Sequence, residues 1–154
     1  MKRSTRVALS ALLLALLAAC ASGPPKRVFP PEARLQELAL QGDAARVQLR
    51  VQSFSTVPSV VEAYALTLEI AGEEAGQLRG VASATVLPQA AEVIAVDATL
   101  DANAVARARQ ALSAGTALRY RLHGTITVDP TGRAYPIDYS SALSPVPGLD
   151  GVLR

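Results

Sequence analysis

Residues 118–128 read LRYRLHGTITV, and apolar and polar side chains alternate along nearly the whole of this stretch. The two alternating rows are Leu118, Tyr120, Leu122, Ile126 and Val128, against Arg119, Arg121, His123, Thr125 and Thr127. A period of two predicts a β-strand at 116–128 with one buried face and one face in water. Gly124 interrupts the apolar row, which indicates a place where a neighbouring backbone or side chain needs room.

Six further strands are predicted, most of them from the same alternation, whereas residues 81–87 are β-like but mixed on both faces. The six strands cover residues 34–40, 46–52, 60–71, 81–87, 92–100 and 133–142. The inward rows are Val47, Leu49 and Val51; Tyr64, Leu66, Leu68 and Ile70; Ile94, Val96, Ala98 and Leu100; and Tyr135, Ile137 and Tyr139. Residues 72–76 and 129–132 are predicted turns, and Gly80 is a predicted bulge or second turn. Pro136 marks the last strand as an edge strand, or as paired only on its other side.

One segment follows helical spacing instead. Asp101 suits an N-cap, Val105, Ala108 and Leu112 fall on one face, and Gly115 suits a C-terminal cap. We therefore predict a short amphipathic helix near residues 102–114. Arg107 and Arg109 are expected on its solvent side.

About seven strands and one short helix, joined mostly by short turns, predict a mainly all-β fold. The expected architecture is an antiparallel β-sandwich of the immunoglobulin or fibronectin type III kind, with the domain spanning residues 33–148. The Pro- and Gly-rich end, residues 144–154, keeps Val146, Leu149, Val152 and Leu153. Its last part, residues 149–154, is a predicted C-terminal tail. The preferred interpretation of residues 144–154 is a strap packed on the domain, and the alternative is an extended segment offered to a partner.

The amino terminus has the pattern of a targeting segment. Lys2, Arg3 and Arg6 precede an apolar run at residues 7–19, which is too short to span a bilayer but suits a secretory signal. The run ends in small residues, Ala18 and Ala19, directly before Cys20, the only cysteine. This arrangement resembles the lipobox of bacterial lipoproteins.

The lipoprotein resemblance implies a location. In that family the matching cysteine receives lipid, such as palmitate, and cleavage falls just before it. Residues 1–19 would be the signal peptide and Cys20 the lipid attachment site. Ala21, not being aspartate, implies sorting to the outer membrane, with the domain facing the periplasm. Residues 20–32 would form a Pro-rich tether, in which Lys26 and Arg27 are either solvated or rest on anionic headgroups.

Composition excludes several classes of function. Without residues 1–19 the chain carries twelve Lys and Arg against thirteen Asp and Glu, a formal charge of −1. It therefore lacks the basic surface that a nucleic-acid partner requires. A single lipidated cysteine leaves no disulfide. The absence of tryptophan argues against an aromatic platform for nucleic acid or carbohydrate.

Candidate catalytic or metal-binding groups do not form a recognisable set. His123 is the only histidine and lies beside Arg121, which disfavours a metal site, so it is read as a solvent-facing residue. Glu73 and Glu74 are read as solvated turn residues. The four tyrosines are read as core residues whose hydroxyls reach the rim. Arg119, Arg121 and His123 either form a solvated face, neutralised by acids on neighbouring strands, or dock an acidic partner. We expect no enzyme activity, cofactor or metal.

The central strand also carries a family resemblance. Residues 118–126, LRYRLHGTI, resemble the Y-x-L-x-G-x-I strand of the late-embryogenesis-abundant type 2 family, the LEA14-like or WHy domain. The strands at 47–54 and 64–72, then Gly80, Pro88 and residues 93–96, and finally 135–137 and 144–148, also fit. The similarity spans residues 35–148. Where relatives often carry an Asn-Pro-Asn-like turn, this chain has residues 53–56, SFST.

That resemblance implies a fold and a role. The fold is a sandwich of two antiparallel sheets with one helix, and the role is non-enzymatic protection in desiccation and other water-deficit stress. The expected function is therefore that of a lipid-anchored, stress-protective envelope protein. The alternative is a periplasmic interaction module that binds another envelope protein through an edge strand or the C-terminal tail.

Overall fold

The computed structural model describes residues 25–42 and 44–154. In this part of the chain eight strands and one helix follow one another. They are β1 (Glu32–Gln41), β2 (Ala44–Gln52), β3 (Ser59–Ile70), β4 (Glu73–Val86), β5 (Ala91–Ala98), α1 (Ala102–Ala114), β6 (Leu118–Asp129), β7 (Arg133–Leu143) and β8 (Val152–Leu153). The seven predicted strands and the predicted helix are all present, and β8 is additional.

The strands form two four-stranded antiparallel sheets. Sheet A has the order β5-β2-β1-β8, and sheet B has the order β4-β3-β6-β7. The predicted all-β sandwich with one helix is therefore confirmed. β7 is an edge strand, as Pro136 predicted, because Pro lacks the N–H that a central strand needs on both sides.

The core lies between the inner faces of the two sheets. The apolar rows predicted for β2, β3 and β6 are buried, and the fully buried side chains include Leu49, Leu66, Leu68, Leu122 and Ile126. One polar contact joins the sheets inside this core: the Tyr120 hydroxyl donates to the Leu35 carbonyl over 3.3 Å. Apolar burial on both faces of the gap is the main source of stability in such a sandwich.

The predicted need for room at Gly124 is confirmed. Gly124 has φ +143° and pairs with Leu66 of β3. A Cβ atom placed on Gly124 would clash with the Ala65 carbonyl oxygen and lie 2.9 Å from the Leu66 Cα. The two central strands of sheet B therefore approach each other where only glycine fits.

The predictions for residues 72–80 were wrong in part. The turn comprises only Ala71 and Gly72, and β4 then continues as one strand through Gly76 and Gly80, although its pairing with β3 shifts register next to each of these glycines. A Cβ on Gly76 would lie 2.7 Å from the Thr99 carbonyl oxygen, and one on Gly80 would lie 2.7 Å from the Tyr64 Cζ. These two glycines leave space for neighbours instead of turning the chain.

The helix and its caps are confirmed. The Asp101 carboxylate accepts a hydrogen bond from the Asn103 amide over 2.8 Å, and Gly115 has φ +65°. The buried face consists of Ala104, Val105, Ala108 and Ala111, and the predicted Leu112 is only half-buried. The helix is attached by its polar side as well, because Arg109 donates to the Gly42 carbonyl over 2.7 Å.

The C-terminal end packs on the domain. β8 pairs with β1, Leu153 is fully buried, and Arg154 forms a 2.7 Å ion pair with Glu37. The Ser144 and Arg154 backbones also exchange two hydrogen bonds. The strap interpretation of this segment is thus confirmed, and it closes one edge of sheet A.

The sandwich has two distinct ends. The tether end consists of residues 25–31, 53–58, 87–90 and 129–132, and the helix end carries α1 together with residues 144–151. β3 runs from the first to the second with 12 residues, which corresponds to about 40 Å at about 3.3 Å per residue.

We predict that Gly124→Ala destabilises the domain strongly. The added methyl group must displace the β3 backbone, which is expected to cost about 3 kcal/mol or more. Gly132→Ala is the matched control, because Gly132 also has positive φ but its Cβ would meet nothing within 4 Å. That control should lose only about 1 kcal/mol of unfolding free energy. Urea unfolding measures both, and equal losses would contradict the close approach.

We predict that Leu153→Ala costs about 2–4 kcal/mol of unfolding free energy, because it leaves a cavity under the strap. Leu149→Ala, in the same segment but 48% exposed, should change it by less than about 1 kcal/mol. Thermal or urea unfolding of the two variants gives the comparison. A Leu153→Ala protein as stable as the parent would show that the strap is not part of the core.

Candidate functional site

Cys20, the predicted lipid attachment residue, lies outside the part of the chain that the structure describes. The same is true of the predicted signal peptide at residues 1–19 and of the first residues of the predicted tether, because the described residues begin at Pro25. No helix among the described residues is long and apolar enough to cross a bilayer. What the structure does show is how the chain enters the domain next to this site.

The entering segment is fastened to the loop that follows β2. The Arg27 amide donates to Thr56 Oγ1 over 2.8 Å, and the Thr56 amide donates back to the Arg27 carbonyl over 3.0 Å. Thr56 Oγ1 also donates to the Pro25 carbonyl over 2.9 Å, and the Phe29 amide donates to Ser55 Oγ over 3.1 Å. Residues 25–29 are therefore hydrogen-bonded to the domain and are not a free linker.

The fastening loop is the same SFST segment that departs from the resembled family. Ser53 and Ser55 are buried, and the Ser55 amide donates to Ser53 Oγ over 3.2 Å, which shapes the loop. Short hydroxyl side chains can satisfy nearby backbone groups in this way. The sequence indicated only a turn here, because the bond partners lie 26 to 31 residues away along the chain.

The outer face of sheet B carries a charged cluster on three strands. Arg121 of β6 forms two 2.8 Å hydrogen bonds with Asp138 of β7 and lies 3.9 Å from Glu69 of β3. His123 Nε2 lies 3.1 Å from Glu69 Oε1. The predicted neutralisation by acids on neighbouring strands is therefore confirmed for Arg121, and His123 also has an acidic neighbour, Glu69.

The hydrogen bonds between Arg121 and Asp138 shift the pKa values of both side chains. The hydrogen bond to Arg121 holds the pKa of the Asp138 carboxyl below its ordinary value, and the bond to Asp138 raises the pKa of the Arg121 guanidinium. Both residues are exposed, so solvent screens their attraction and the pair contributes little to stability. This face is therefore mostly self-compensated.

An open groove of about 1170 Å³ lies beside this cluster at the helix end. It runs between the second half of α1 and the adjoining ends of β3, β6 and β7, and its charged lining residues are Glu69, Arg107, Arg119 and Arg121. Arg107 is bound to Glu73 over 2.9 Å. In the described chain, Arg119 is the one of the three arginines without an ion pair. The sequence predicted the outer arginine row but not the groove, which depends on where α1 packs.

The remaining predicted candidates have separate structural partners. Glu73 contacts Arg107, whereas the neighbouring Glu74 accepts a 3.2 Å hydrogen bond from Gln77, so the two carboxylates do not act on a common point. Within residues 25–42 and 44–154, no group of three or more His, Cys, Asp and Glu side chains is arranged to hold a metal ion.

The tyrosines pack in the core, as predicted. Tyr64, Tyr120 and Tyr135 are buried, and Tyr139 is half-buried. Burial raises the pKa of Tyr120 to about 12. The interaction of Arg34 with the Tyr139 hydroxyl raises the pKa of that guanidinium. Hydroxyls that are used in this way support packing and do not form a ligand-stacking surface.

Comparisons with known proteins concern the fold alone. No protein-family profile matches the chain, and no curated protein matches it. The solution structure of a protein from Arabidopsis thaliana is 14% identical, with 84% of this chain and 89% of that chain covered and a TM-score of 0.50. The crystal structure of a protein from Archaeoglobus fulgidus is 14% identical, with 80% and 99% covered and a TM-score of 0.45.

We predict that Thr56→Val loosens the entering segment. The substitution keeps the side-chain shape but removes the oxygen that binds Arg27 and Pro25, a loss of about 1 kcal/mol per hydrogen bond. The Arg27 amide should therefore exchange its hydrogen about fivefold faster, while core amides are unchanged. Thr125→Val, on the outer face of β6, is the control. Unchanged exchange at Arg27 would contradict the fastening.

Proposed function

We propose that this protein is a lipid-anchored, non-catalytic protein of the bacterial envelope with a domain like those of the LEA type 2 family. Its proposed anchor is acyl lipid on Cys20 in the outer membrane, with the domain in the periplasm. The observation that carries the anchor is the coincidence of a basic start, a short apolar run and the only cysteine at its end. Acyl chains contribute about 0.8 kcal/mol per buried CH₂, so two or more chains hold a protein stably.

The family part of the proposal is supported by the central strand. Tyr120, Leu122 and Ile126 are buried, and Gly124 lies at the close approach of β3, so the Y-x-L-x-G-x-I pattern occupies positions that the sandwich requires. These residues maintain the fold and are not exposed to a ligand. A function shared with that family would therefore act through the outer surface.

The outer surface supports a diffuse protective role more than a single specific site. On sheet B the exposed charges of Arg121 and Asp138 bind each other, and on sheet A Arg46 lies 3.7 Å from Asp97. Mixed, mutually paired charges give a solvated surface without a strong field of one sign. Such a surface suits weak contacts with many dehydrating client proteins, which is the role we propose in water deficit.

A second candidate is the interaction module. Binding of a partner through the C-terminal tail is not favoured, because Leu153 of the tail is buried in the domain. Binding of a partner through an edge strand is favoured by Val81, which is 87% exposed on the edge strand β4. Exposed edges can pair with another chain.

We predict that Cys20→Ser releases the protein from membranes into the soluble periplasmic fraction. The reason is that the hydroxyl group cannot take the place of the lipidated thiol. Ser22→Ala, two residues further on, is the control and should stay with the outer membrane. If the Cys20→Ser protein still sediments with membranes, the anchor is not at Cys20.

The protective role is tested with the released protein. A fragile enzyme is dried with it, rehydrated, and compared with the same enzyme dried with an equal mass of an inert protein. Clear excess activity is expected. Enzyme activity no higher than with the inert control would contradict the protective role and favour the interaction module that binds through an edge strand. That module would then be tested by cross-linking from β4 in cells, with Val81→Lys as the comparison.

A further inference from the structure

Apolar side chains are exposed together at the tether end. Phe29 is 41% exposed, Phe54 48% and Leu87 60%, and Phe29 and Phe54 are the only phenylalanines in the chain. Phenylalanine is normally among the buried residue types, and here the buried aromatic residues are all tyrosines. Neither phenylalanine belongs to the core, so the fold does not explain their presence.

The three residues lie on segments that are hydrogen-bonded to one another. The Phe29 amide binds Ser55, next to Phe54, over 3.1 Å. The Ser53 amide donates to the Ala90 carbonyl over 2.8 Å, and the Ala90 amide donates to the Leu87 carbonyl over 3.1 Å. The entering segment and the loops after β2 and β4 therefore form one surface, and this surface exposes apolar side chains to water.

This surface is also the part of the domain nearest to Cys20. Five peptide units separate Cys20 from Pro25, and a fully extended chain of that length spans at most about 17 Å. Because residues 25–29 are fastened to the domain, a lipid on Cys20 holds the tether end close to the bilayer. The helix end lies about 40 Å further away by the length of β3.

The charges beside this surface are mixed. Lys26 and Arg27 are exposed on the entering segment and would attract anionic headgroups. Glu32 and Asp129 lie toward the same end and carry the opposite charge. The apolar side chains must therefore supply most of the attraction.

We infer that the tether end is a membrane-contact surface: Phe29, Phe54 and Leu87 insert into the headgroup region of the bilayer that holds Cys20. The inference rests on the proposed anchor for its setting and adds an orientation of the domain. Aromatic and aliphatic side chains beside basic residues are the composition that binds lipid interfaces. The groove at the helix end then faces away from the membrane.

The chain is well suited to a direct test. It contains no tryptophan and one cysteine, so a single introduced tryptophan is the only indole reporter and Cys20 is the only thiol. Residues 20–154 are coupled through Cys20 to a maleimide lipid in vesicles of phosphatidylethanolamine and phosphatidylglycerol, with or without bromine on the acyl chains. The coupling supplies the anchor chemically, so the result does not depend on whether cells lipidate Cys20.

Two matched variants are compared. Phe54→Trp places the reporter on the proposed surface, and Leu149→Trp places it at the helix end, where the parent side chain is equally exposed at 48%. Insertion into the bilayer should shift the emission of Phe54→Trp to shorter wavelength, and brominated chains should quench it severalfold, while the emission of Leu149→Trp stays unchanged. Both variants should unfold at the parent temperature.

The outcomes are separable from those for the anchor. Adding Phe29→Ser and Leu87→Ser to Phe54→Trp should abolish most of the quenching if these side chains hold the surface on the lipid. Equal quenching at both reporter positions, or none at either, would overturn the inference even if Cys20→Ser releases the protein in cells. Failure of Cys20→Ser to release it, with quenching at position 54 alone, would overturn the anchor and leave the surface established.

Discussion

The close approach of β3 and β6 at Gly124 is the constraint on which the rest of the sandwich depends. It brings the apolar rows of the two strands to one level, so that Leu66, Leu68, Leu122 and Ile126 form the floor of the core. Sheet A packs on this floor, and the Tyr120 hydroxyl reaches Leu35 across it. A core is densely packed and transmits small displacements, so the width of this single contact affects both sheets. The outer charges of β6 are brought next to Glu69 by the same pairing.

The alternation of apolar and polar residues and the helix-capping residues predicted most of the fold, because most of its strands and its helix follow these local patterns. Period two identified the buried rows of β2, β3 and β6, and the cap chemistry of Asp101 and Gly115 located the helix. Gly76 and Gly80 were misread because a glycine that makes room for a neighbour looks the same in sequence as one that turns the chain. Strand β8 was missed because two residues are too few to show a period.

The candidate site was less predictable, for a physical reason. The charge partners of Arg121 could be expected from strand neighbours, but the groove depends on the position of α1, and the fastening of residues 25–29 depends on Ser55 and Thr56. Both arise from contacts between segments distant in sequence. The structure thus separates two regions of potential function, one at the tether end and one at the helix end, while the Y-x-L-x-G-x-I pattern lies in the core between them.

The direction in which β1 leaves the tether end has a mechanical consequence. β1 lies inside sheet A, between β2 and β8, and it directly follows the fastened residues. A force applied at the amino terminus would pull along this strand and load its whole ladder of hydrogen bonds to β2 in shear, from Glu32–Gln52 to Gln41–Ala44. Bonds loaded in shear share the force, whereas bonds that are unzipped break one after another. The domain therefore begins with a strand whose pairing geometry resists extraction by a force applied at the amino terminus.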